Sequence, residues 1–125
     1  MILVSFDDYQ LIDGIPIYLQ IIGHIKRGIV SGVVVNGDLL PSRRMLAAKL
    51  SINPNTVQKA CRILEDEGLI TSHTGAASLM VIDENSRARV RHELLKSDAE
   101  MLIFGMKEMG ISKEETLAVI EKYWD

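Results

Sequence analysis

Apolar residues return at helical spacing along most of the chain, broken at intervals by turn residues. Tyr18, Ile21, Ile22, Ile25 and Ile29 lie on one stripe behind Pro16, which the pattern places at the first helical position, and Ser31-Gly32 ends that helix. Val33-Val34-Val35 reads as a short extended piece, closed by the tight turn Asn36-Gly37-Asp38. Ser42 caps a short helix that carries Met45, Leu46 and Leu50 inward. Ser51-Ile52-Asn53-Pro54 breaks it, and Asn53 as cap with Pro54 at the first position opens a longer helix whose buried stripe is Val57, Ala60, Cys61 and Leu64, ended by Gly68. Two such helices joined by a few residues form a helix-turn-helix pattern.

Leu69 to His73 and Ser78 to Ile82 are strand-like runs on either side of the small-residue tip Thr74-Gly75-Ala76-Ala77, which makes a hairpin. Residues 86–109 return to helical periodicity, with Val90, Leu94, Met101, Leu102, Met106 and Met109 near one stripe and Gly110 as the stop. Ser112-Lys113-Glu114-Glu115 is a capping box opening a last helix through Leu117, Ile120 and Tyr123. The expected fold is mainly α with a small β-hairpin wing. It has an N-terminal arm (1–14), a winged helix-turn-helix domain (15–82) and a two-helix C-terminal segment (83–125). That segment cannot bury Leu94, Met101, Leu102, Met106, Met109, Leu117 and Ile120 by itself, so a second copy of the chain is the expected cover and these are the expected dimerisation residues.

The length of 125 residues suits one compact domain with an appendage, and 47% hydrophobic residues suffice for a core. No run is long and apolar enough for a membrane span, and the start meets two acids early, unlike a signal peptide. The one cysteine, Cys61, suits a reducing compartment, so the cytoplasm is expected. The net charge of −3 is unevenly spread. Leu39 to Leu64 holds Arg43, Arg44, Lys49, Lys59 and Arg62 with no acid, a local footprint for a polyanion. The acidic excess falls after residue 82.

The longer helix of the pair presents Asn55, Thr56, Gln58, Lys59 and Arg62 on faces not used for packing. Asn and Gln can pair bidentately with adenine, Lys and Arg can reach guanine or phosphate, and the Thr methyl can touch thymine. Ser42, Arg43 and Arg44 open the preceding helix, which in this geometry crosses the DNA backbone. No phosphate-binding glycine loop, Ser-His-Asp arrangement or paired carboxylates stand out, so neither an enzyme nor a cofactor is expected. His24 and His92 have no ligand spacing around them and no metal site is expected. Cys61 reads as a buried structural thiol, with a redox sensor as the alternative. The methionines read as core or interface packing, with an apolar ligand groove as the alternative.

Residues 16–82 resemble the winged-helix domain of the GntR family of bacterial repressors. The resemblance rests on Pro16-Ile17-Tyr18-Leu19-Gln20-Ile21, on the run Gly37 to Ala47 with Leu40-Pro41-Ser42-Arg43-Arg44 at its centre, on Asn53-Pro54-Asn55-Thr56-Val57-Gln58-Lys59-Ala60, and on Leu64-Glu65-Asp66-Glu67-Gly68-Leu69-Ile70. The Asn-Pro-Asn-Thr-Val run and the short tail are similar to the YtrA-type subfamily, whose tails serve dimerisation. The resemblance implies a homodimeric repressor of transcription with residues 53–67 reading the major groove of double-stranded operator DNA. It makes Arg44 a phosphate or base contact, puts Asn55, Thr56 and Gln58 at the groove and Thr74-Gly75 at the wing tip. The family's wing carries an Arg-Gly-x-Gly run, which is Thr74-Gly75-Ala76-Ala77 here, so Arg43, Arg44 and the cap at Asn53 are expected to carry more of the positioning. His73 reads as an exposed hairpin residue, with a substitute wing cation as the alternative. The missing wing arginine and acidic tail leave a second function class: a winged-helix dimer that docks a protein instead of DNA. An effector, if the protein takes one, would be a small molecule bound between protomers or between tail and domain, because 43 residues after Ile82 are too few to enclose a pocket.

Overall fold

A computed structural model describes residues 3–72 and 77–125. Among them the elements are α1 (Ile17–Ser31), β1 (Leu39–Leu40), α2 (Arg43–Leu50), α3 (Pro54–Asp66), β2 (Ile70–Thr71), β3 (Ser78–Met80), α4 (Glu84–Glu108) and α5 (Lys113–Tyr123). The chain divides into two compact units, Met1–Arg91 and His92–Asp125.

The first unit is built on α1. Its stripe Ile21, Ile25 and Ile29 is fully buried, each side chain contributing about 1.5–3 kcal/mol of burial. Helix α3 packs on both α1 and α2, adding Val57, Ala60 and Leu64 with no exposed surface. Pro16 lies one residue outside α1, at the cap, where its carbonyl accepts from Leu19 and Gln20 N–H; the expected first-turn position is thus shifted by one. Gly32 takes φ 86 at the other end, as the sequence implied.

The sheet differs from a bare hairpin. Strand β3 is central, antiparallel to both β2 and β1, in the order β1-β3-β2. The first strand is Leu39–Leu40 and not the expected Val33–Val35. The reason lies in two polar anchors. Val34 N–H donates to the Gly28 carbonyl and the Asp38 carboxylate accepts from Val35 N–H, at 2.9 Å each, folding the valines into a turn. A Cβ on Gly28 would stand 2.5 Å from Val34 Cγ2, so only glycine lets that turn seat against α1. Asn36 then holds Ile82 N–H through its side-chain oxygen at 2.8 Å.

The N-terminal segment is docked. Val4 N–H donates to the Leu39 carbonyl at 2.7 Å, Leu3 bridges Leu39 in parallel register, and Val4 and Phe6 are buried. Buried Gln20 ties down residues 9–15: its amide donates to the Ile12 and Ile15 carbonyls, and its oxygen accepts from Ile12 N–H and Tyr9 O–H. His24 packs against the rings of both Phe6 and Tyr9, which also meet edge to face, and bonds the Ser5 carbonyl at 2.8 Å.

Helix α4 opens on a reciprocal box in which Asp83 Oδ1 accepts from Ser86 N–H and Ser86 Oγ accepts from Asp83 N–H. Val90 is fully buried within the first unit. In the second unit, Ser112 caps α5 by accepting from Glu115 N–H. Thr116 is the one buried residue of this unit among the described residues. Leu94, Met106 and Ile120 are part-covered, while Met101, Leu102, Met109 and Leu117 are exposed.

Candidate nucleic-acid interface

Two caps aim the candidate surface. Ser42 Oγ accepts from Met45 N–H at the start of α2, and Asn53 Oδ1 accepts from Asn55 N–H at 2.8 Å at the start of α3, where Pro54 occupies the first turn. Neither first turn carries an acid, so both positive helix ends stay available to an anion. The connection between them turns through Ser51 at φ 56, the one positive φ off glycine among the described residues, with Ser51 and Ile52 N–H groups closing on the Ala48 and Ala47 carbonyls. A left-handed serine costs roughly 1 kcal/mol or more, and the hydrogen bonds of this αL cap offset it.

The buried face of α3, Val57, Ala60, Cys61 and Leu64, fixes what remains outside. Asn53, Asn55, Lys59 and Arg62 are exposed; Thr56 and Gln58 are part-covered. On α2, Arg43 and Arg44 are exposed and Ser42 is part-covered. Met45 is also exposed, against the expectation that it faces inward, because the helix turns Leu46 and Ala47 to the core instead. Arg43 Nη1 donates to Gln58 Oε1 at 2.5 Å, joining the two helices across their open faces. The wing-tip residues Thr74 and Gly75, with His73, lie outside the described residues.

Three features here were not legible in the sequence. Lys49, counted in the cationic stretch, is paired by Asp7 of the N-terminal segment at 2.7 Å, and the ammonium beside it lowers the Asp7 carboxyl below its ordinary range. Lys59 Nζ lies 4.0 Å over the centroid of Tyr18, a residue whose spacing suggested core only. Glu67, just beyond α3, takes the buried Lys26 ammonium at 2.9 Å while its carbonyl accepts from Arg89. Cys61 is buried, and burial raises its thiol above the ordinary value, with Arg43 nearby pulling it back only in part. A raised thiol is a poor nucleophile, as the structural reading of Cys61 requires.

Comparison with known proteins identifies the family. The family model described as bacterial regulatory proteins, gntR family, matches residues 17–79. The HTH-type transcriptional regulator YhcF of Bacillus subtilis is 31% identical over 93% of this chain and 96% of its own length. The HTH-type transcriptional repressor YtrA of the same organism is 36% identical over 80% of this chain and 78% of its own. A GntR family transcriptional regulator from Listeria monocytogenes superposes with a TM-score of 0.77 at 35% identity, covering 90% of this chain and 98% of that one. The chain belongs to the GntR family of bacterial helix-turn-helix transcriptional regulators, which are not enzymes.

Proposed function

We propose that the protein is a homodimeric, cytoplasmic repressor that holds a roughly palindromic operator with α3 in the major groove and α2 across the phosphate backbone. One observation carries this reading: α3 buries one face completely, and the other presents Asn55, Gln58, Lys59 and Arg62 next to Arg43 and Arg44, with no acid from Leu39 to Leu64. In such dimers the two reading helices stand about one helical turn of DNA apart. The exposed Met101, Leu102, Met109 and Leu117, with part-covered Leu94, Met106 and Ile120, supply the dimer face. Leu95, Ile103, Phe104 and Trp124 are exposed in the same unit and extend it. Repression is supported by the name of the YtrA relative.

A mobility shift on the promoter of the protein's own operon tests the proposal. With three to five phosphates neutralised per protomer, log affinity should fall by about 0.9 per phosphate against log salt. Arg44→Ala should weaken all sequences alike if Arg44 holds phosphate, whereas Gln58→Ala should relax one base position. Absence of binding by the wild type at low salt to every candidate operator overturns the reading. Capture of a protein partner with no response to DNA or salt would instead select the docking-module function.

A further inference from the structure

The contact between Arg43 and Gln58 bears on which base the second of them reads. Free glutamine matches adenine, its oxygen accepting from N6 and its amide donating to N7. Here the oxygen is already engaged by Arg43 at 2.5 Å. A guanidinium offers only donors, so the amide orientation follows: Oε1 faces Arg43 and the NH2 group is turned away from it. Arg43 keeps four of its five N–H donors, and both side chains lie on the open side of the motif, Arg43 exposed and Gln58 part-covered. The pair therefore presents donors side by side next to a positive charge. Adenine would bring its N6 amino group against that charge, with one lone pair of its acceptor partner already taken. Guanine offers N7 and O6, two adjacent acceptors.

We propose that Arg43 and Gln58 act as one unit that reads guanine, with Arg43 the residue that switches Gln58 away from adenine. The proposal rests on the placement of α3 in the major groove argued above. It assigns Arg43 a role in specificity beyond a phosphate contact, and it concerns two side chains on separate helices, so a change in one must alter the base preferred by the other.

The test is selection from a randomised double-stranded DNA library by the wild type, Gln58→Ala and Arg43→Met. It is followed by anisotropy titrations at low salt, where loss of one cation is tolerated, on four operators differing at the base that responds to Gln58→Ala. The wild type should prefer guanine there. Arg43→Met keeps the apolar stem, removes the donors and frees Gln58 Oε1; it should shift the guanine-to-adenine affinity ratio by about tenfold toward adenine, the worth of one good bidentate pair. Adenine at that position in the wild type, a guanine preference that Arg43→Met leaves unchanged, or no position that responds to Gln58→Ala overturns the pairing while leaving DNA binding itself intact. Failure of the wild type to select any sequence removes the groove placement, and the pairing falls with it.

Discussion

Residues up to Arg91 and residues from His92 onward solve the problem of apolar surface in opposite ways. The first unit turns its stripes inward: Ile21, Ile25, Ile29, Leu46, Val57, Leu64, Leu69 and Met80 are all closed to solvent. The second unit has comparable apolar content but leaves Met101, Phe104, Met109 and Trp124 each about two-thirds exposed or more. Exposed apolar side chains grouped in this way are what the proposed dimer face requires. On the proposed dimer, the contrast teaches that folding is carried by side chains that meet within the chain and assembly by side chains that meet a second copy.

The largest expected effect is a core deletion in the first unit. Ile25→Ala should cost about 3 kcal/mol by lost burial and the cavity left behind, read as a lower urea midpoint. Next comes the tail. Leu102→Glu with Phe104→Glu should leave the unfolding of the first unit nearly unchanged, reduce the mass seen by sedimentation to that of one chain, and weaken operator binding about a hundredfold as the two half-sites become independent. An unaltered mass would break the comparison, since those exposed residues would then have no partner copy to meet.

A smaller effect is expected at the buried ammonium of Lys26, whose side chain is 6% exposed against 31% for its Glu67 partner. Lys26→Met should cost about 2 kcal/mol, below the usual range for a fully buried pair because Glu67 keeps some water. The smallest effect is acid sensitivity. Asp83 is lowered by its hydrogen bonds to Ser86, and Asp7 by Lys49. A carboxyl lowered on folding stabilises above its unfolded pKa, and that contribution is lost as pH falls through the folded value. The wild type should therefore lose stability from about pH 4 downward, and urea titrations of Asp83→Asn should show a flatter acid limb. An equally steep limb in the variant would show that this box does not hold the start of α4.

Much of this was written locally. Ser42, Asn53 and Ser112 fix helix starts because each cap acts within three residues, and the stripe Val57, Ala60, Cys61, Leu64 encodes which face of α3 is outside. Periodicity failed where polar anchoring competed with extension: three consecutive valines read as a short extended piece, but the Asp38 carboxylate and the Gly28 carbonyl bend them into a turn. Met45 was misread because so short a helix presents too few turns to fix its phase.

By itself, then, the sequence determined the order of elements, the helix-turn-helix and the family, since caps, breaks and apolar periods act between near neighbours. Only the tertiary structure decided the chemistry of the candidate surface. Arg43 meets Gln58 fifteen positions away, Lys59 lies over Tyr18, and Asp7 takes Lys49 out of the cationic stretch. Such contacts depend on how separate helices and the N-terminal segment pack, and spacing along the chain carries no record of that.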